Sequence, residues 1–476
     1  MRELEYIYNA LNGMIVDLAG NRNLIEKYLI GSKQHGDVSK MFVRETKLSL
    51  SRLLMFMMMP RAGSCQSELT YFYGGIEMEV PSKSAFSMKR KLVSYKLFPF
   101  INSVLLDHYY MTSMPRKWKG KFIVAVDGTT LTMPRGERFE ALYGYSTWEP
   151  DKSLRVPMAR AIVLYDVLNH QIIEIRLDKY GSYEAEMAYE TIMSLPDYIR
   201  NNAIFIFDRA FISSWFLTVL QNMGICYIMR CRRGQSKAID NFWNNRLSSQ
   251  DVLISMSSVS WYTKGRERYD KNGITPDKRR PVFVHLSKSK LSDGEYEVIC
   301  SSLFGIKLSA AQAYRLYGRR WEIETAIGIE KNEFQIEILS GYSKNAILQD
   351  IYCKIISYNI CSMAMMVANK RLKVRSKRRT VSNKRQTVSN KKPLRSSVKV
   401  IRRYKLNMNM ALCYLKQLFV KIVTDSIKLH ALIVRYIREI CRYYEPVHKN
   451  SHNRRVFRAY KSHGKYATYT NYARVM

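Results

Sequence analysis

Four residues combine types and a spacing that could do chemistry: Tyr317, Arg320, Glu324 and Lys331, in the stretch Tyr-Gly-Arg-Arg-Trp-Glu-Ile-Glu-Thr-Ala-Ile-Gly-Ile-Glu-Lys. Their pattern is Y-x2-R-x3-E-x6-K. On one continuous helix, at roughly 100° per residue, all four fall within about 60° of one face. That face would carry a carboxylate able to hold a metal ion, two cations able to hold phosphates, and a phenol able to hydrogen-bond or stack. The combination suits phosphodiester chemistry on DNA if further carboxylates complete a metal site. Glu322, Glu330, Glu333 and Glu337 lie nearby, but the same geometry turns them roughly 140–220° away from Tyr317, leaving Glu324 as the acid on this face. Glu324 and Lys331 are too far apart for a direct i,i+4 ion pair, which weakens a reading of the quartet as a merely solvated helix.

An anion attacking an anion needs charge relief, and two divalent ions roughly 3.5–4 Å apart can activate the nucleophile and stabilise the leaving oxygen. Magnesium prefers hard oxygen ligands and keeps several waters, so two or three convergent carboxylates are enough. Asp127 and Asp208 are the candidates to join Glu324. Each follows an apolar strand-like run, Phe-Ile-Val-Ala-Val-Asp and Ala-Ile-Phe-Ile-Phe-Asp. Two such strands side by side would bring the acids together, and a metal ion would relieve their repulsion. Either Asp alone could simply start a turn, as Asp127-Gly128 suggests. Asp166 has a similar context but is followed by a hairpin, so it is read as structural.

These residues must be positioned by a chain of 476 residues, long enough for two or three domains. Its formal charge of +37 favours a polyanionic partner, nucleic acid over an acidic membrane surface. The Met-Arg-Glu-Leu-Glu-Tyr start lacks the order of a signal peptide. The longest apolar stretch, Ile351–Ala368, is interrupted by Lys354, Ser357 and Asn359 and reads as a buried amphipathic helix. No membrane role and a cytoplasmic location are expected. Without a secretory signal the 8 cysteines are expected as reduced thiols; they form no C-x2-C pair, which argues against structural zinc.

Residues 1–115 read as helical: a run through Leu48–Met57, a break at Pro60–Ser64, a second helix over Gln66–Phe72, then a basic helix through Met88-Lys89-Arg90-Lys91. This could be a helix-turn-helix-like DNA reader or a helical core with a solvated basic face. Residues 116–345 read as a catalytic core. Its strand-like runs are Phe122–Val126, Ala159–Val167, Ile172–Leu177, Ile204–Phe207 and Cys226–Met229, with helices over Ser182–Met193 and Trp215–Asn222 and a turn at Asn169-His170. The β-β-β-α-β-α-β order is that of a ribonuclease-H-like α/β core, here with a β-rich insertion at about 233–305. A helix over 346–370 packs on the core. A basic low-complexity linker follows at 371–400, containing the tandem repeat Arg378–Lys384 and Arg385–Lys391; it reads as disordered or as a DNA tether. Residues 401–476 read as a basic helical region.

The Y-x2-R-x3-E-x6-K signature, with Asp-Gly-Thr upstream and Asp-Arg-Ala-Phe between, resembles the bacterial DDE transposases of the insertion-sequence-four type. The likeness extends through Gln66-Ser67-Glu68-Leu69, Ser84-Ala85-Phe86-Ser87, Leu164-Tyr165-Asp166-Val167-Leu168-Asn169 and Arg320-Trp321-Glu322-Ile323-Glu324. It implies that Asp127, Asp208 and Glu324 are the catalytic acids and hold two Mg2+ ions, with Mn2+ as a substitute. It also implies that Tyr317, Arg320 and Lys331 contact double-stranded DNA at the cleaved end, and that a homodimer acts on terminal inverted repeats and target DNA. The implied reaction is cleavage at transposon ends followed by strand transfer. A nuclease of the same fold that cuts without joining, and a DNA-binding protein that has lost catalysis, are the alternatives. Ala210 stands where that family often has Gly, which matters only if the backbone there needs a positive φ.

Overall fold

The computed structural model describes residues 2–31, 37–61, 63–146, 155–254, 282–291, 294–304, 308–387, 403–424 and 428–447. The chain divides into two units, Pro115–Ile329 and the combination of Met1–Met114 with Glu330–Met476.

The Pro115–Ile329 unit is built on one eight-stranded mixed sheet. Its strands are β1 (Phe122–Thr132), β2 (Met158–Asp166), β3 (Gln171–Lys179), β4 (Ala203–Phe207), β5 (Cys226–Arg230), β6 (Ser249–Ile254), β7 (Val282–Lys290) and β8 (Tyr296–Ser301), in the order β3-β2-β1-β4-β5-β8-β7-β6. The first three are antiparallel neighbours, while β4 and β5 run parallel to β1. The parallel centre explains the sequence. All five residues of β4 are buried, as are Phe122–Val126 of β1, because helices cover a parallel sheet on both faces. The helix Glu184–Met193 lies on β2 and β3, and Ser214–Asn222 lies on β5 and β7.

The turn from β2 to β3 shows what Asp166 does. Fully buried, it accepts hydrogen bonds from the backbone N–H of Leu168 and Asn169 and from the Asn169 amide, locking a turn in which His170 takes φ 53°. The segment between residues 233 and 305 contributes the helix Lys237–Asn244 and strands β6, β7 and β8, all antiparallel, which extend the central sheet from β5 outward. Residues 255–281 of that segment lie outside the described residues.

Two local expectations are corrected here. The apolar run that ends at Asp127-Gly128 is not the end of the strand: β1 continues to Thr132, paired with β2 throughout. The quartet does not ride on one continuous helix either. One helix spans Ala310–Gly318, a second spans Trp321–Asn332, and Arg319 and Arg320 form the joint. At the joint the backbone bonds reach back three residues: Arg319 to Leu316, Arg320 to Tyr317, Glu322 to Arg319 and Ile323 to Arg320. That tighter winding changes the angle between successive side chains from the continuous-helix value.

The other unit is helical. The segments Leu50–Met58, Cys65–Gly75 and Lys83–Lys91 form as helices, the last two with Ser64 and Ser82 as N-caps. Arg90 of the basic helix does not face solvent. It is buried, with Nε on the Gln349 side chain at 3.0 Å and Nη2 on the Asp350 carboxylate at 3.0 Å. Arg61 reaches the same carboxylate at 3.1 Å. Phe86 and Arg90, four residues apart, share the buried face, which is why the basic run is only partly a solvated one.

The long helix Lys344–Thr387 is buried nearly all round between Ile347 and Ala368 rather than along one stripe. It is long and apolar enough to span a bilayer, yet 78% of its apolar window is buried inside the protein. Its polar interruptions are all bonded. Lys354 donates to the carbonyls of Gln335 and Ile338, Ser357 to that of Met58, and Asn359 to the Asn102 side chain. The helix continues to Thr387, into the basic stretch read as a linker; residues 388–402 lie outside the described residues.

Candidate active site

The sheet register places the first two acids. The last parallel pair between β1 and β4 is Val126 opposite Phe207. Asp127 and Asp208 are the next residue on each strand, so they emerge side by side, with neighbouring strands about 4.8 Å apart. Their paths then diverge. β1 runs on along β2, while β4 ends and Arg209–Phe211 winds into a 3-10 turn. Ala210 lies inside that turn and is not among the residues with positive φ, so its Cβ meets no backbone penalty.

The joint between the two helices supplies the rest. The Ala310–Gly318 helix packs on β5, β7 and β8. It delivers Tyr317 in its last turn, whose hydroxyl donates to Oδ1 of Asp208 at 3.4 Å. Arg320 follows, with its side chain only 9% exposed. Its Nη2 is 2.8 Å from Oε1 of Glu324, its Nη1 3.8 Å from Oδ2 of Asp127, and its Nε 3.9 Å from Oδ1 of Asp208. Only the first contact is of hydrogen-bond length. The buried Nε has no hydrogen-bond partner. The guanidinium also lies 5.0 Å from the ring centre of Trp321, an exposed side chain.

Five of the six singled-out residues, Asp127, Asp208, Glu324, Tyr317 and Arg320, are therefore brought together. The sixth, Lys331, lies in the last turn of the Glu324 helix and falls in the other unit. Of the rejected glutamates, Glu322 pairs with Arg319 at 3.4 Å and Glu330 is buried.

At Asp127 the electrostatics express burial of a carboxylate first and neighbouring negative charge second. Burial pushes the Asp127 carboxyl up to about 6, and the Glu324 and Asp208 charges add to the rise, against the pull of Arg320 and a hydrogen bond from the Gly128 N–H. Burial and the Asp208 charge raise the Tyr317 phenol, keeping it a neutral hydrogen-bond donor. Among the described residues no three acids, histidines or cysteines are gathered closely enough to hold an ion by themselves. The three carboxylates converge on a guanidinium instead. Hard oxygen donors from three separate elements nevertheless suit a magnesium-like ion, which would favour the charged form of the buried Asp127.

Sequence reasoning missed two residues at the edge of this cluster. Arg230 ends β5 and pairs with Glu297 of β8 at 3.1 Å. Glu297 is raised by burial and lowered by both Arg230 and Arg320, and both residues act electrostatically on Tyr317. Arg230 follows a buried apolar run just as Asp208 does, so the same strand-end rule could have found it. Glu297 carries no such signal.

Residues 118–360, just over half of the chain, match the family described as Transposase DDE domain. No match emerges among the curated proteins. Among solved structures the chain is similar to a cryo-EM structure of the piggyBac transposase synaptic complex with hairpin DNA. That similarity covers 92% of this chain and 82% of that chain at 10% identity, with a TM-score of 0.35. A score that low makes the likeness uninformative about fold or function.

Proposed function

The chain belongs to the transposase DDE-domain family, and from that premise we propose that it is of the insertion-sequence-four type, with Asp127, Asp208 and Glu324 as its catalytic acids. Phosphodiester cleavage and transesterification on DNA, in general with divalent metal ions, come with the family. One observation carries the residue assignment: three carboxylates from β1, the end of β4 and the Trp321–Asn332 helix face a single guanidinium. The strand order β3-β2-β1-β4-β5, antiparallel then parallel, supports a ribonuclease-H-like core with β6–β8 as its insertion.

In this reading the three acids hold two Mg2+ ions, or Mn2+ in their place. Bound there, such ions would supply charge relief to the attacking and leaving oxygens. Arg320 and Lys331 hold phosphates of the cleaved end, and Tyr317 keeps Asp208 oriented while it positions that end. The N-terminal helices and basic surfaces bind the terminal inverted repeats, consistent with the charge of +37. The freed 3′-hydroxyl is then joined to target DNA by a homodimer holding both ends, in the bacterial cytoplasm on the nucleoid.

The test is to incubate purified protein with a labelled fragment of the DNA that flanks its own coding region and with an intact plasmid, in Mg2+. Joining of label to plasmid supports transposition. Shortened labelled products without joining would leave a nuclease, and binding without cutting in either Mg2+ or Mn2+ would leave a DNA-binding protein.

A further inference from the structure

Arg320 occupies the place at which the three carboxylates need a cation, and the way it is held is unusual for an arginine. A guanidinium normally meets carboxylates as a fork of short bonds. Here one short contact, 2.8 Å to Glu324, is combined with two long ones, 3.8 Å to Asp127 and 3.9 Å to Asp208, and the buried Nε has no hydrogen-bond partner. Three acids thus share one positive charge, which offsets only part of theirs and is held firmly at one point. The exposed Trp321 ring beside the guanidinium offers it a second surface on which to lie. A cation held this way keeps like charges together yet is readily exchanged.

We infer that Arg320 is a resident counter-ion that holds Asp127, Asp208 and Glu324 in place before metal arrives and competes with the metal for them. The inference rests on the reading that these acids are the metal ligands. Without Arg320 the acids would lose their neutralising partner, and an incoming divalent ion would have no cation to displace. With Arg320, each binding event must first detach it, and detachment frees it for the phosphate that the proposed function assigns to it.

The experiment is Mn2+ titration of the DNA-free full-length protein, read by electron paramagnetic resonance of unbound Mn2+. The proteins compared are wild type, Arg320→Gln, Arg320→Lys, Asp127→Asn and the Asp127→Asn/Arg320→Gln double variant. Circular dichroism establishes that each is folded. Arg320→Gln is expected to bind Mn2+ on the order of 10-fold to 100-fold tighter than wild type, the usual size of a coupling between sites. Arg320→Lys, a point charge that cannot span the three acids, is expected a few-fold tighter; if the Gln variant fails to fold, this one decides. Asp127→Asn is expected to weaken binding in both backgrounds. Binding that depends on Asp127 but is unchanged or weaker in the Arg320 variants overturns the counter-ion role and leaves the metal-site reading standing. Binding indifferent to Asp127 overturns that reading and, with it, this one.

Discussion

Replacing Asp127 with Asn should make the metal-free protein more stable at neutral pH. The carboxyl rises from its ordinary 3.8 to about 6 in the folded state. The folded state therefore holds this proton more tightly than the unfolded chain does. As pH climbs from about 4 to about 6 the folded state must give up a proton that the unfolded chain has already lost, so stability falls across that window and stays lowered above it. At about 1.4 kcal/mol per pH unit, the full cost is about 3 kcal/mol. The Asp127 side chain is 20% exposed, which leaves most of that cost unscreened. The substitution changes the charge and little else, because the amide oxygen of the replacement can still accept from the Gly128 N–H, as Asp127 does at 2.9 Å. For a unit of this size, about 3 kcal/mol is roughly 6–12 °C in Tm. The assay is thermal unfolding of wild type and Asp127→Asn in EDTA at pH 8 and pH 4. The variant should melt several degrees higher at pH 8, and the gap should close by pH 4. Added Mg2+ should raise the wild-type Tm and leave the variant's unchanged. A variant that melts at or below wild type at pH 8 would mean that Arg320 already compensates the buried charge and that burial of Asp127 costs no stability.

Tyr317→Phe removes the hydroxyl that donates to Asp208, so DNA cleavage should slow by about tenfold while the melting curve stays near wild type, the effect of one ordinary hydrogen bond. Asp350→Ala strands Arg61 and Arg90 in the interior and should cost about 3–5 kcal/mol in urea unfolding. Burial alone would raise Asp350, but Arg90, Arg61 and Lys354 outweigh it and hold the carboxyl at about 2. Its stabilisation is therefore fully present above pH 3.8 and should be lost as pH falls through about 2, a slope that Asp350→Ala should lack. At Gly128 an added Cβ would come 2.6 Å from the carboxylate carbon of Glu184, which Arg160 holds by an ion pair. Gly128→Ala should destabilise by about 1–3 kcal/mol, and combining it with Glu184→Ala should recover part of that loss in the same unfolding assay.

Asp127 and Asp208 were legible because parallel strands buried on both faces leave continuous apolar runs, and the first polar residue after each marks where the chain emerges. Their adjacency needed the pairing of β1 with β4, which no local pattern specifies. The continuation of β1 past Gly128 was hidden because an antiparallel partner lets a strand turn polar without ending. Glu324 could be separated from Glu322 and Glu330 by helical period, even though the helix breaks at Arg319 and Arg320, because all three lie on the helix Trp321–Asn332 and keep their mutual spacing. The guanidinium among the acids was not legible. A continuous helix places Arg320 on the right face, but its side chain's direction depends on the tight joint and on the strand ends opposite. Arg90 misled for a different reason: a run of basic residues looks solvated, and its partner Asp350 lies 260 positions away. Phe86 four residues earlier was the available sign that one cation of the run turns inward.

The most direct test of the account is metal-dependent cutting of a labelled DNA end by Glu324→Gln, beside wild type, in Mg2+ and in Mn2+. Wild type should cut in both metals, and Glu324→Gln should bind the end with near-wild-type affinity but leave it uncut. A metal-dependent cut that survives Glu324→Gln would contradict the assignment of the three acids.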